Sequence, residues 1–106
     1  MFAGGMGNTG SVCGSVVGAL MAIGLSMGRA NSIEDAMANL QVAAEFRRRF
    51  EAEMGTISCR ELTGVDLTTP AGLEQFMSSD NPAMVCGPAV NLAHRLVVEL
   101  LQEISG

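Results

Sequence analysis

Small and apolar residues recur at three- and four-residue spacing through the first quarter of the chain, and no charged residue precedes Arg29. This spacing predicts a helix from Thr9 onward, ended by Gly28 as a left-handed C-cap. Three glycines would form one stripe along it: Gly10, Gly14 and Gly18. Each interior glycine costs a helix about 1 kcal/mol relative to alanine, and close packing of a second helix is the usual reason for one. We therefore expect a central glycine-rich helix, buried on most sides.

A second long helix follows and is amphipathic over its whole length. Ser32 begins it, with Asp35 in a near capping box, and Gly55 ends it. Its predicted inward positions recur with a 3.6-residue period: Ile33, Ala36, Met37, Leu40, Ala43, Ala44, Phe46, Phe50 and Met54. The run Arg47–Arg49 lies between glutamates, which favours a solvated, mutually paired face over a basic patch that binds a partner.

Two short helices are predicted next. Ser58 and Glu61 fit an S-x-x-E capping box, which makes Cys59 the first residue of a brief helix. Thr69 as N-cap and Pro70 at the first helical position open another short helix.

The last predicted helix begins with Pro82. Pro88 removes a backbone donor and disfavours helical geometry at Gly87, so the helix either kinks there or starts afresh. Its inward positions are Ala89, Leu92, Ala93, Leu96, Val97, Leu100, Leu101 and Ile104. Together these elements predict an all-α fold: a small helical bundle around the central glycine-rich helix, with the short helices between the second long helix and the C-terminal helix.

Composition supports a single helical domain over residues 1–106. Hydrophobic residues make up 48% of the chain, but Trp and Tyr are absent, so the core is built from Ala, Val, Leu, Met and four Phe. Methionines at helical spacing are typical of gap-filling core residues rather than metal ligands. The net charge of −5 argues against a nucleic-acid partner, because affinity for nucleic acid comes mainly from neutralised phosphates.

The uncharged segment from Ser11 to Met27 has 17 residues, close to the minimum for crossing a bilayer. Small-xxx-small spacing is also common where membrane helices pair. Against this, six of the 17 residues are Gly or Ser, and no basic n-region of a secretory signal precedes the segment. We therefore expect a cytoplasmic protein, with membrane association as the less favoured alternative.

Three cysteines are the candidates for chemistry: Cys13, Cys59 and Cys86. No C-x-x-C pair occurs, so their spacing alone is a weak signal for zinc or for a redox pair. Each lies at or near a predicted helix start, where the partial positive charge favours the thiolate. Arg60, next to Cys59, strengthens the expectation of a lowered pKa there. The alternative is that all three are inert core residues, as buried free cysteines commonly are.

Other catalytic groups are scarce. The single histidine, His94, falls at the boundary between the two faces of the last helix, a position typical of a surface residue. The glycines at 4, 5 and 7 follow no predicted strand and lack the lysine of a P-loop. An ordinary hydrolase or transferase is therefore not expected, and whether the chain is an enzyme is left open.

The sequence blocks around Cys13, Cys59 and Cys86 resemble the C_GCAxxG_C_C family of redox-active proteins. Its Cys-Gly-Ala-x-x-Gly motif appears at residues 13–18, with Ser15 in place of the alanine. Its next cysteine matches Cys59, ahead of Arg60, and its last matches Cys86, ahead of the C-terminal helix. Family members typically begin with a further helix that carries a fourth cysteine. Since nothing here corresponds to that helix, we expect the chain to be truncated or its true start to lie upstream.

The resemblance implies redox chemistry at the cysteines, with no firmly attached reaction or substrate. They would cycle between dithiol and disulfide, or ligate an iron–sulfur cluster, which three cysteines hold only incompletely or with an outside ligand. The predicted catalytic residues and metal ligands are therefore the same: Cys13, Cys59 and Cys86. The expected cofactor-binding positions are Gly14, Gly18 and Arg60.

Partners follow from the packing expected around the central helix. Without the family's first helix, that helix keeps an uncovered apolar side, and such a patch is commonly an association surface. We therefore expect a homodimer, in addition to an unidentified redox partner. The alternative function is a non-catalytic helical domain that oligomerises and whose cysteines are structural.

Overall fold

The computed structural model describes residues 1–105, and these are organised into helices. The elements are α1 (Ala3–Met6), α2 (Gly14–Met27), α3 (Ile33–Met54), α4 (Cys59–Thr63), α5 (Pro70–Ser78), a π-helical turn (Pro82–Cys86) and α6 (Gly87–Ser105). The three long helices, α2, α3 and α6, pack against one another in a rod of 48 × 21 × 18 Å. The predicted all-α bundle is confirmed, with the short helices between α3 and α6.

The core lies where the three long helices meet. Phe46 and Phe50 of α3 are fully buried, with ring centroids 6.1 Å apart. The other two helices surround them with Ala89, Leu92, Ala93, Leu96 and Leu100 from α6, and Val16, Ala19 and Ile23 from α2. Most of the predicted inward stripe of α6 is therefore confirmed, and Ile104, which is 47% exposed, is its exception.

The prediction that the first long helix begins at Thr9 is wrong. α2 begins at Gly14, and Gly10 has a φ of 72°, a left-handed conformation ahead of the helix. Val12 then forms an isolated antiparallel bridge with Ser58. Glycine takes positive φ without the steric penalty of a side chain. The chain therefore turns at Gly10 and pairs with a distant segment instead of extending α2 backwards.

The three glycines do not form a helical stripe against a second helix. A methyl group built on Gly14 would lie 3.1 Å from the carbonyl oxygen of Phe2, whereas one built on Gly18 would meet nothing within 4 Å. The predicted close packing at Gly18 is therefore wrong within the single chain. α2 is also less buried than expected, since Leu25 is 83% exposed.

α3 begins and ends as predicted. Ser32 Oγ accepts a hydrogen bond from the Asp35 amide at 3.0 Å, and Gly55 ends the helix with a φ of 87°. The inward stripe is covered only in part, because α2 and α6 bury the side of α3 that carries its two phenylalanines. Four predicted inward residues are exposed instead: Ile33, Met37, Leu40 and Ala44.

Replacing Ser32 by alanine removes the N-cap of α3. We expect the free energy of unfolding to fall by about 1 kcal/mol, the typical effect of losing such a cap, as measured by urea denaturation. Ser26→Ala, at an exposed position of α2, is the control and should change stability by less than ~0.5 kcal/mol. Equal losses in the two variants would show that the Ser32 hydrogen bond contributes nothing to α3.

The arginine run forms the paired face predicted for it, and the pairing extends to α6. Arg49 bonds Glu45 within α3 and Glu103 on α6, each at 2.7 Å, and Arg95 of α6 bonds Glu53 of α3 at 2.7 Å. Two further pairs lie within α3: Arg47–Glu51 and Arg48–Glu45. Exposed pairs of this kind stabilise a fold only slightly. Their consequence is that the charged side chains of α6 are directed towards α3.

The proline near the start of α6 is accommodated by a π-helical turn. The Gly87 amide donates to the Pro82 carbonyl, five residues back, and Gly87 itself keeps helical dihedral angles. The wider turn takes up the disruption expected from Pro88, so a continuous helical segment runs from Pro82 to Ser105. By length and composition alone, this is the one segment within residues 1–105 able to cross a membrane. Core helices of soluble bundles pass the same test.

Candidate redox site

A left-handed turn at residues 4–8 forms one wall of the cysteine region. All five residues have φ between 59° and 75°, and three of them are glycines, which take this conformation without steric penalty. Met6 and Asn8 are the two that carry side chains. The Thr9 hydroxyl donates to the Gly5 carbonyl at 2.6 Å and so closes the turn.

Cys13 and Cys59 lie on two antiparallel segments joined by backbone hydrogen bonds. The Cys13 amide donates to the Ile57 carbonyl and the Cys59 amide donates to the Ser11 carbonyl, each at 2.7 Å, on either side of the isolated bridge. Residues at such diagonal positions share a face of the pair, with Cα atoms about 7–8 Å apart. The bridge therefore brings together two cysteines that are 46 positions apart in the sequence.

Cys59 is the most buried of the three cysteines. It begins α4, is 8% exposed and belongs to a small second hydrophobic core. The predicted N-cap of this helix is present, since Ser58 Oγ accepts from the Glu61 amide at 3.2 Å. Gly5 packs directly against the thiol-bearing side chain, because a methyl group built on Gly5 would lie 2.7 Å from Cys59 Cβ. The left-handed turn thus covers Cys59.

Cys86 reaches the same region from the other end of the chain. It ends the π-helical turn, which packs against α4, and like Cys13 it is half-buried. Asn81, just ahead of that turn, donates from Nδ2 to the carbonyl of Thr63 at 3.0 Å. This hydrogen bond fixes the π-helical turn to the end of α4. It thereby fixes Cys86 relative to Cys59.

Every pair of the three thiols interacts electrostatically. Burial raises the pKa of Cys59 and of Cys86 above the ordinary 9.0, and a thiolate at Cys13 raises both further. The prediction that the helix start and Arg60 lower the pKa of Cys59 is wrong. α4 has only five residues, and Arg60 extends into solvent, where its guanidinium lies 4.0 Å from the Asp66 carboxylate. Burial and thiol repulsion therefore dominate.

These raised pKa values predict a loss of stability at alkaline pH. Since the folded chain holds the Cys59 and Cys86 protons more tightly than the unfolded chain, this stabilisation is fully present below pH 9.0 and is lost as pH rises through the folded pKa values. The chain has no Tyr and its six basic residues are all Arg, so neither Tyr nor Lys side chains contribute to this alkaline effect.

Urea denaturation at a series of alkaline pH values measures this effect. We expect the free energy of unfolding to fall with pH in the unmodified chain and to fall less steeply in a Cys59→Ala/Cys86→Ala variant. The comparison uses slopes, so a constant difference in stability between the variants does not matter. Parallel slopes would contradict the raised pKa values.

The chain matches one known protein family. The family described as "Putative redox-active protein (C_GCAxxG_C_C)" matches residues 1–100. The chain belongs to this family. No match was found among curated proteins or among solved structures. The description of the C_GCAxxG_C_C family names redox activity and gives no reaction, substrate or cofactor.

Ser15 is a site residue that the spacing of the cysteines does not reveal. Its Oγ lies 3.0 Å from Cys13 Sγ, in the first turn of α2. The signal in the sequence is the departure from the C_GCAxxG_C_C motif, where alanine is typical at this position. The serine places a hydroxyl that can donate a hydrogen bond to a thiolate at Cys13.

The three positions expected to bind a cofactor lie in different surroundings. Gly14 directly follows Cys13 and packs against Phe2. Gly18 lines an open groove between α2 and α6. Arg60 adjoins Cys59, but its guanidinium is directed away towards solvent. Cofactor binding at these three residues stays a prediction.

The arrangement of donors does not match a metal centre. Within residues 1–105, no three His, Cys, Asp or Glu side chains are placed to share an ion. An iron–sulfur cluster is held by four thiolates, whereas this chain has three cysteines. The thiols thus do not fit such a cluster in this arrangement, and their role as metal ligands stays a prediction from the sequence.

Proposed function

We propose that this member of the C_GCAxxG_C_C family is a thiol–disulfide redox module in which Cys13 and Cys59 form the exchanging pair. The observation that carries the proposal is the backbone pairing that holds these two cysteines on adjacent segments. A disulfide needs Cα atoms about 4.4–6.8 Å apart. Because diagonal neighbours lie about 7–8 Å apart, closure requires a small local shift and no refolding.

Cys13 is the attacking thiol in this proposal. It is half-buried, so a partner can reach its sulfur, and Ser15 Oγ at 3.0 Å can donate a hydrogen bond to its thiolate. The thiolate is the form that attacks a disulfide. Cys59, covered by the turn around Gly5, is shielded from the partner. It therefore suits the second, resolving step, in which a second thiol of the chain releases the partner from Cys13.

The reaction exchanges two thiols of the chain for a disulfide of a partner. The Cys13 thiolate attacks one sulfur of the partner disulfide, which forms a mixed disulfide and releases the other partner sulfur as a thiolate. Cys59 then loses its proton to solvent and attacks Cys13 Sγ. That step forms the Cys13–Cys59 disulfide and releases the second partner thiolate. Two electrons pass to the partner, and its two released thiolates take up protons.

We place this cycle in the cytoplasm, with a disulfide-bearing protein or small molecule as the unidentified redox partner. Thiol pools in that compartment keep cysteines reduced, so they would return the chain to its dithiol form. Cys86 lies outside the two paired segments, so in this proposal it is a third thiol that the exchange does not use.

Incubation of the reduced chain with glutathione disulfide tests the proposal. We expect the product to have lost two hydrogen atoms, with peptide mapping locating the new bond between Cys13 and Cys59. Cys86→Ser is the matched control and should give the same product. Three unchanged thiols, stable mixed disulfides on every cysteine, or a bond that involves Cys86 would each overturn the assignment.

A further inference from the structure

The open groove between α2 and α6 begins at the cysteine end of the bundle. Cys13 is the N-cap residue of α2 and Cys86 directly precedes α6, so both walls of the groove run away from the thiols. Ser15 belongs both to the groove, which it lines, and to the redox site, because its Oγ lies 3.0 Å from Cys13 Sγ. A molecule whose sulfur reaches Cys13 therefore has this groove beside it.

The groove has room for one extended group. Its volume is about 250 Å³, just below the range of about 300–1,000 Å³ that is usual for small-molecule pockets. On α2 its wall extends from Ser15 to Ala22, about 10 Å along the helix axis, and on α6 it extends as far from Val90. A methyl group built on Gly18 would meet nothing within 4 Å, so the middle of the groove is free. A volume this small over such a length suits a single unbranched chain.

The lining of the groove favours an uncharged, apolar occupant. Among the described residues that line it, none is Asp, Glu, Lys or Arg, and only Ser15 and His94 have polar side chains. Its buried lining residues are Ala19 and Ala93. A charged group that entered the groove would lose water and gain no ion pair, which costs free energy. An aliphatic group would instead bury apolar surface there.

We propose that the groove binds the aliphatic arm of a small disulfide substrate, an inference that rests on the proposed thiol–disulfide function. The Cys13 thiolate attacks the sulfur of the bound arm and releases the other half of the substrate as a thiolate. Cys59, after losing its proton to solvent, attacks Cys13 Sγ and releases the arm as a second thiolate. Both released thiolates take up protons from solvent. Two electrons thus reduce the substrate to two thiols, and the chain is oxidised to the Cys13–Cys59 disulfide.

Two uncharged disulfides that differ in the length of their arms test this specificity. Hydroxyethyl disulfide has arms too short to fill the groove, whereas ω-hydroxyhexyl disulfide has four more methylenes in each arm. Full burial of one methylene favours binding about fourfold, and an open groove covers each methylene only in part. We therefore expect the longer disulfide, at low concentration, to oxidise the unmodified chain ~10-fold faster than the shorter one. Dithiothreitol, a dithiol without a groove, gives the ratio of the two intrinsic reactivities.

Two glycines of α2 supply matched variants for this measurement. Gly18 lies in the groove and Gly24 does not, yet a side chain at either position would meet nothing within 4 Å of its Cβ. Leucine improves helix propensity at both positions, and at residue 18 it also fills the groove. We expect Gly24→Leu to keep the ~10-fold preference for the longer disulfide. Gly18→Leu should fall to the ratio measured with dithiothreitol, with the helicity of both variants checked by circular dichroism.

The outcomes separate the groove from the redox function. If the unmodified chain forms the Cys13–Cys59 disulfide with both compounds at the dithiothreitol ratio, the groove does not bind the substrate, while the redox function is unaffected. A folded Gly18→Leu variant that keeps the preference for the longer disulfide would overturn the groove in the same way. If neither compound oxidises the chain, the redox function is wrong and the groove assignment is lost with it.

Discussion

Cys13→Ser is expected to lose the intramolecular disulfide completely, while Cys59→Ser is expected to stop at the mixed disulfide. The difference follows from accessibility, because Cys13 is half-buried and next to the Ser15 hydroxyl, whereas Cys59 is 8% exposed behind the left-handed turn. Without Cys13 there is no accessible attacking sulfur of the pair. Without Cys59 the first exchange still occurs, but nothing releases the partner.

Intact-mass analysis after incubation with glutathione disulfide distinguishes these products. Cys59→Ser should accumulate one glutathione adduct, mapped to Cys13, and Cys13→Ser should remain without an intramolecular bond. Ser15→Ala should form the unmodified chain's product more slowly, with Ser15→Thr restoring the rate, because a hydroxyl at that position supports the thiolate. The reverse pattern, with the adduct trapped on Cys59 in Cys13→Ser, would mean that Cys59 is the attacking thiol and Cys13 the resolving one. Equal rates for Ser15→Ala and the unmodified chain would show that the serine hydroxyl does not support the Cys13 thiolate.

Gly5→Ala is expected to destabilise the chain far more than Gly7→Ala, although both glycines have nearly the same φ, 75° and 72°. A left-handed conformation costs a residue with a side chain about 1–2 kcal/mol, and both variants bear that cost. A methyl group on Gly7 would have its nearest neighbour at 4.0 Å, whereas one on Gly5 would lie 2.7 Å from Cys59 Cβ and 2.5 Å from the Ser11 amide nitrogen. Overpacking adds about 1–3 kcal/mol for Gly5→Ala alone.

Urea denaturation gives the two losses of stability, and the reactivity of Cys59 gives a second measurement. Displacement of the turn by Gly5→Ala should expose Cys59, so its alkylation by iodoacetamide should become faster than in Gly7→Ala. Similar losses of stability and similar alkylation rates in the two variants would mean that the turn does not cover Cys59.

Local signals in the sequence were sufficient to predict much of the fold. Ser32 and Gly55 bound α3, and Ser58 caps α4, because hydrogen bonds within a few residues determine such ends. The start of α2 could not be found in this way. Helical spacing continues through residues 9–13, but a bridge to Ser58, 46 positions after Val12, determines their conformation.

For the candidate site, the sequence names the cysteines but does not give their environment. The motif identified the cysteines, but the raised pKa of Cys59 comes from burial by segments distant in sequence. The hydrogen bond between Ser15 and Cys13 is local and depends on side-chain orientation, which spacing does not give. Packing around Gly18 could not be predicted from the sequence either. The glycine spacing suggested a neighbouring helix, but no atom of the chain lies within 4 Å of a methyl group built on Gly18.

Titration of the reduced, native Cys86→Ser chain with phenylarsine oxide tests most directly whether folding places two reactive sulfurs side by side. Trivalent arsenic bridges two neighbouring thiols, and this variant retains only Cys13 and Cys59. We predict that the native chain binds one equivalent tightly and thereby loses both free thiols. If the native chain binds none while the urea-unfolded chain does, the fold holds the two sulfurs apart, and the redox pair does not exist.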